Sequence, residues 1–448
     1  MIKYIQALST ISSIYIYSSP QVCCIQHQEP MRREANSEIE ESNTHSSLAE
    51  EDNEASLWNE RAQRSLFQLF MPFITALLFL ADVVMDFKLA ASHLDQGHLK
   101  WAAYTLGVVL FSLIIVDVVS ASFYLYDQKD PNKTWWLTQN NLQVRPWFYA
   151  FHLILCGRFV RCFQTFRTVL IIRGIEQNDQ EKPENIQRYR LHISQSYRMS
   201  ILSVVEAFTE EAPQVALQSY ILLQKGSFDW NSSSDVFVGI NTIKSLFLFS
   251  YSLLNFAIQI RLSNKDSALL KLFTLASLLH FFWRLFMLVA RLLALVLFAN
   301  EFKELVFIVV GVHVVFSFFL TGSQTDNFFT HGSRRDILFR CAFSCINIFC
   351  FFPLEGKDTG NWGIPHYIAI FVENSVLTLT WYFYSKFDKE FKIAMLAISW
   401  GGFFLGLVCV LLYYGFFHPS ITGNTHKDAK KDATEEIEGG SISFESSV

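Results

Sequence analysis

Apolar residues run along most of this chain in stretches of helix length, and polar residues gather between them. The runs fall at about 66–90, 101–126, 147–173, 194–224, 236–260, 268–298, 302–321, 337–353, 366–385 and 393–417. A membrane-spanning helix needs about 20 apolar residues, so each run approaches or reaches a full crossing. The runs are continuous and do not alternate, which predicts helices and argues against a β-barrel. The connections are short, as helical hairpins require.

Basic residues orient the array. Arg158, Arg161, Arg167, Arg173, Lys182, Arg188, Arg190 and Arg198 crowd one stretch, 158–198, and such an excess marks the cytoplasmic side. The turn at 225–236 holds only Lys225 and is expected outside. Full crossings by every run, from a cytoplasmic N-terminus, cannot satisfy both. Reading 147–173 as a partly inserted, re-entrant element resolves the conflict, and Arg158, Arg161 and Arg167 interrupt that run. Run 337–353 is short, carries Arg340 and Asn347, and is read the same way. The expected fold is all-α: a polytopic membrane protein of about eight transmembrane helices plus two partly inserted helical elements. It forms a pseudo-repeat of two halves, about 63–262 and 263–418, with both tails cytoplasmic. Lys386, Lys389 and Lys392 would then lie outside, against the basic-residue rule, and no repeat is visible in the residues themselves.

Composition agrees. Hydrophobic residues make up 51% and charged residues 17%, against about 25% charged in soluble domains. The net charge of −5 argues against nucleic acid as a partner. Residues 1–62 are expected to be a cytoplasmic, disordered tail, acidic and rich in Ser and Asn over Glu29–Glu60, and 419–448 a second polar tail. The eight cysteines form no disulfide framework. Cys156, Cys162, Cys341, Cys345, Cys350 and Cys409 sit in or beside apolar runs as small apolar side chains, while Cys23 and Cys24 are either an unmodified tail pair or lipid anchors.

Charges inside the apolar runs are the costly residues. Asp82/Asp86 and Glu206/Glu210 are each spaced i, i+4, so each pair lies on one helix face. A charge at the bilayer centre costs about 3 kcal/mol or more. Arg158, Arg161, Arg198, Arg284 and Arg291 are the candidate ionic partners, the last two seven residues apart on one face. Asp117 and Glu373 read as helix-to-helix contacts. Pro213 follows Glu210 and Glu211, and proline kinks a helix. Trp101 lies past the turn HLDQGHLKW and reads as an interfacial anchor or as a gate at the outer mouth. Two glycosylation sequons occur, at Asn132 and Asn231; only Asn231 falls outside in this topology.

Four stretches resemble the XK-related family of membrane proteins: LFLADVVMDFKLAASHLDQGHLKWAAYTLGVVLFS (78–112), FHLILCGRFVR (151–161), SYRMSILSVVEAFTEEAPQVALQSYILLQ (196–224) and FFLGLVCVLLYYGFFHP (403–419). They fall in family order, charged positions included. The resemblance implies eight spans with two partly inserted elements. It also implies, for the apoptotic branch, phospholipid scrambling that exposes phosphatidylserine after caspase cleavage of a tail. Asp82, Asp86, Glu206 and Glu210 match the family's acidic pairs. Their functional reading is a polar path for lipid headgroups; the alternative is a buried ionic network that only locks helices. Other members act as partners of lipid-transfer proteins or of single-pass membrane proteins, so a non-transporting adaptor is the competing function.

Expected partners are therefore membrane phospholipids, an executioner caspase, and a single-pass membrane chaperone or lipid-transfer protein. The candidate cleavage site is Asp52 in LAEED, with Asp428 and Asp432 as alternatives. No nucleotide-binding loop, GxSxG, HExxH or zinc-spaced Cys/His set is present, so neither enzyme chemistry nor cofactor nor metal is expected. His280 and His313 read as isolated packing residues. The expected location is the plasma membrane.

Overall fold

The computed structural model describes residues 66–127, 151–152, 154–176, 183–226, 229–263, 274–322, 334–350 and 359–417. Asp52, Asp428, Asp432, Cys23, Cys24, Asn132 and both tails lie outside the described residues. Among the described residues every regular element is a helix. They are α1 (Leu66–Asp95), α2 (Leu99–Asp127), α3 (Gly157–Glu176), α4 (Pro183–Glu206), α5 (Ala212–Lys225), α6 (Ser233–Ser263), α7 (Leu275–Phe302), α8 (Leu305–Gly322), α9 (Arg334–Asn347), α10 (Thr359–Tyr384) and α11 (Lys389–Phe416). A π-helical turn, Ala207–Glu211, joins α4 to α5.

Four of these are long and apolar enough to cross a membrane: Leu99–Phe123, Ser233–Arg261, Leu275–Phe302 and Lys389–Phe416. α1 is as long, at 30 residues, but carries Asp82, Asp86 and Lys88. The chain is an all-helical, polytopic membrane protein. Its outward residues are apolar where a soluble protein's would be polar: Phe307 and Phe319 on α8 are 73% and 70% exposed. Surfaces of that kind suit acyl chains, not water.

Two compact units divide the chain: Met1–Glu210 with Thr325–Ala342, and Glu211–Gln324 with Phe343–Val448. In the first, α1 packs on α2 and α3, and α4 packs on α2 and α3. In the second, α7 is the central helix, in contact with α5, α6, α8, α10 and α11. Thr274 caps α7 by accepting the Ser277 N–H at 3.3 Å. α11 comes close to α7 at Gly406, where an added Cβ would stand 3.0 Å from Met287 Cγ. Small residues that let helix backbones approach are the usual device of membrane helix packing.

The run 147–173 is not one continuous helix. Cys156 N–H reaches Phe151 O at 2.8 Å and Leu155 N–H reaches His152 O at 3.2 Å, the paired bonds of a helix-terminating turn. Leu155 holds φ +60°, a left-handed conformation that costs a non-glycine residue about 1 kcal/mol. α3 then starts two residues later. Run 337–353 is interrupted too: α9 ends at Asn347 and a turn leads to the buried Cys350.

The π turn has a local cause. Pro213 lacks an N–H, and its ring would press on the carbonyl of residue 209. Widening the preceding turn relieves that clash. Thr209 adds to it: its hydroxyl donates to Val205 O at 2.8 Å and pairs with Ser112 Oγ on α2 at 2.8 Å.

Candidate functional site

α1, the end of α4 and the π turn bring the acidic positions together inside the first unit. Asp82, Asp86, Glu206 and Glu210 are all buried. One carboxylate oxygen each from Asp82, Glu206 and Glu210 lies within 4.8 Å of the other two. At that spacing two unit charges repel by about 3 kcal/mol at an effective dielectric near 20. Three ionised carboxylates therefore require a compensating cation or proton. Asp86 is one helical turn further along α1 and stays outside this three-oxygen group.

Arginine meets this cluster. Arg158 of α3 forms an ion pair with Glu206. Its Nη2 donates to Ser203 Oγ at 3.0 Å, and its guanidinium lies 4.4 Å from the Phe79 ring centre. Phe79 also meets Phe159, with ring centres 5.1 Å apart, so an aromatic pair joins α1 to α3 beside the charges. Among the described residues no cation stands within salt-bridge reach of Glu210. The cluster can take a further cation, whether an organic ammonium or a metal ion, since all three side chains offer oxygen ligands. No sequence spacing announces that set, because its members come from helices over a hundred residues apart.

The other expected partners take different places. Arg161 donates through Nε to Ser120 Oγ at 2.7 Å and through Nη2 to Ser120 O, and lies over Phe123 at 5.0 Å. Arg198 is buried with its guanidinium 5.6 Å from the same ring. Both belong to the first unit. Arg284 and Arg291 belong to the second. Arg291 pairs there with Glu373 at 2.9 Å, and Arg284 lies 4.2 Å from the Trp283 ring centre. Asp117 accepts the Gly157 N–H at 2.8 Å, at the first residue of α3.

Trp101 is half-buried and meets His98 at 4.1 Å between ring centres, tilted by 38°, with His93 edge-on at 6.0 Å. Asn231 is exposed in the turn before α6, where its N–H donates to Asp229 Oδ1 at 2.9 Å. His280 is buried among Trp283 and Tyr413. His313 is not an isolated packing residue: both of its ring nitrogens lie within hydrogen-bond distance of an oxygen. Sequence reasoning also missed Ser112 and Thr209. A hydroxyl in a membrane helix carries no signal of which partner it will meet.

A family model described as XK-related protein matches residues 70–419. XK-related protein 8 of Pan troglodytes is 27% identical over 370 residues, covering 81% of this chain and 87% of that protein. Endoplasmic reticulum membrane adapter protein XK of Pan troglodytes is 26% identical over 386 residues, covering 76% of this chain and 82% of that protein.

Proposed function

The chain belongs to the XK-related family, and from that premise and the buried carboxylate cluster we propose that it is a phospholipid scramblase. The observation that carries the reading is the group of Asp82, Glu206 and Glu210, whose oxygens lie within 4.8 Å of one another inside a membrane protein. Arg158 is engaged by Glu206, and Glu210, with no cation within salt-bridge reach among the described residues, is the carboxylate that receives one more cation. Choline, ethanolamine and serine headgroups each bring an ammonium group. Arg198, buried in the same unit, suits the carboxylate of serine. The headgroup exchanges its hydration for these side chains while the acyl chains stay in lipid. Lipid then moves down its gradient in either direction, without ATP.

In this reading the protein sits in the plasma membrane with both tails cytoplasmic and exposes phosphatidylserine during apoptosis, after a caspase cuts a tail at Asp52 or at Asp428 or Asp432. A single-pass membrane chaperone or a lipid-transfer protein is the further partner. A second reading is favoured by the similarity to a protein named as a membrane adapter: a non-transporting platform for a lipid-transfer or signalling partner.

Purified protein in liposomes separates the two. Fluorescent lipid in both leaflets is exposed to a membrane-impermeant reductant, before and after executioner caspase treatment. Bleaching beyond the outer leaflet without ATP, and its loss in Asp86→Asn and Glu210→Gln, supports scrambling. Cleaved protein that leaves half the label protected overturns it in favour of the adaptor. Net pumping against a gradient, or an absolute ATP requirement, overturns downhill transport. Fragment mapping with no cut in either tail overturns activation by caspase.

A further inference from the structure

Two hydroxyls meet beside the carboxylate cluster of the first unit. Ser112 of α2 is fully buried and is a neighbour of Glu210. Its Oγ lies 2.8 Å from Thr209 Oγ1, 97 residues along the chain. Thr209 has one hydroxyl hydrogen, and it goes to Val205 O at 2.8 Å. Ser112 is therefore the donor of the pair and Thr209 the acceptor. The two bonds run from α2, through Thr209, to the backbone of α4, all within the first unit.

The position of Thr209 gives these bonds their consequence. It sits in the π turn Ala207–Glu211, one residue before Glu210. In a plain α-helix the Thr209 N–H would pair with Val205 O, four residues back. Here the Thr209 hydroxyl reaches that carbonyl, a bond that competes with the helix ladder and bends the helix. A π turn closes over five residues in place of four, so it winds less at each residue. Glu210 thus points where the wide turn aims it, which is not where a plain helix would.

That aim carries Glu210 into the cluster. It is fully buried, with one carboxylate oxygen within 4.8 Å of oxygens from Asp82 and Glu206. Carboxyl groups crowded this closely have no attraction for one another that would hold them there. The restraint has to come from the backbone and from what the backbone is tied to. On the side of α2 that tie is the hydroxyl pair, and it grips the turn next to the residue in question.

We propose that Ser112 and Thr209 are the positioning residues of Glu210: their hydroxyl pair ties the π turn to α2 and keeps the carboxylate turned toward Asp82 and Glu206. Both act through Glu210. Their part in transport rests on the reading of that cluster as a headgroup path; their hold on the direction of residue 210 does not.

The test compares Thr209→Val, which keeps the shape and removes the hydroxyl, with Thr209→Ser, which keeps the hydroxyl. In liposomes Thr209→Val should scramble about tenfold more slowly, the effect of one lost hydrogen bond, and Thr209→Ser should restore most of the rate. In a Glu210→Gln background Thr209→Val should slow transport little further, since residues that act through one another are not additive. A Val loss that Ser does not rescue, or that multiplies in full with the Gln loss, overturns the positioning role. Should Thr209→Val not be recovered folded, Ser112→Ala removes the donor from the other helix and takes its place. The direction of residue 210 is read without transport, from the rate of disulfide formation under copper-phenanthroline in Asp82→Cys/Glu210→Cys protein, followed by mass spectrometry. That pair should cross-link, about tenfold more slowly with Thr209→Val added and at an unchanged rate with Thr209→Ser. A pair that does not cross-link, or equal rates in all three proteins, overturns the proposal. Cross-link rates split by Val in a protein whose wild type does not scramble would uphold the positioning and overturn the headgroup path.

Discussion

In the first unit α3 begins at Gly157, inside an apolar run, and gives its first N–H to the carboxylate of Asp117. In the second unit α9 ends at Asn347, and its last carbonyls are held by His313 and Arg291. The two ends use opposite charges for the reason that the helix dipole dictates: the Asp117 carboxylate at the positive N-terminus, the Arg291 guanidinium at the negative C-terminus. Both ends lie where little water competes, so a missing partner would leave a bare backbone group. These charges are fully engaged with backbone and with each other. Asp82, Glu206 and Glu210 differ: one oxygen of each lies within 4.8 Å of the other two, and Arg158 pairs with Glu206. Buried charge in this protein therefore comes in two arrangements, one that caps helix ends and one that gathers carboxylates close together.

The largest effect should come from breaking the second unit's end. Arg291→Met leaves Glu373 and Ile348 O without their guanidinium, and removing one member of a buried pair costs about 3–5 kcal/mol. Thermal unfolding of detergent-solubilised protein should show a large fall in midpoint. Adding Glu373→Gln should restore part of it, since the stranded charge goes too. An Arg291→Met protein as stable as wild type would remove that network from the structural class.

Gly157→Ala comes next. The new Cβ would meet Asp117 Oδ1 and His152 Cδ2 at 2.4 Å, closer than any real contact. Overpacking of this kind costs about 1–3 kcal/mol. The same unfolding assay should report it, with the cap loosened on the first-unit side only.

Asp117→Asn should be milder, at about 1 kcal/mol. The amide oxygen can still accept the Gly157 N–H, so only the charge-assisted part of the bond is lost. Asp117→Leu, which removes the acceptor, should cost clearly more. Equal losses in the two variants would mean that Asp117 acts through its charge and not as a cap.

Much of this arrangement was legible beforehand, and the remainder was not, for physical reasons. Helix existence followed from apolar run length, and the i, i+4 spacing placed each acidic pair on one face. That run 147–173 departs from one plain span was legible from its arginines, although Arg158, Arg161 and Arg167 all lie within α3, past the break. The position of the break was not, because FHLILC offers neither Gly nor Pro, and Leu155 takes the left-handed conformation itself. The pairing of Arg158 with Glu206 was one of several open choices. His313 with Glu373, 60 residues apart, left no trace, since helix-to-helix contacts have no sequence period. Arg284 and Arg291, grouped by sign with the acidic pairs, belong to another unit altogether.

The smallest effect on stability, and the sharpest on function, should come from Glu210→Gln. Glu210 is fully buried and has no cation within salt-bridge reach among the described residues, while the oxygens of Asp82 and Glu206 lie within 4.8 Å. An amide of nearly the same volume removes repulsion of about 3 kcal/mol per ionised neighbour at an effective dielectric near 20. It loses only what the charge gained from its surroundings. The unfolding midpoint should thus stay within a few degrees of wild type or rise. If the cluster's residual negative charge receives lipid ammonium groups, the scrambling rate in liposomes should nevertheless fall by about tenfold or more, the effect of a lost charged contact. Stability kept with transport lost places Glu210 in the functional class. A variant that unfolds like Arg291→Met would move it to the structural one, and a variant that scrambles at the wild-type rate would remove the headgroup path from this cluster.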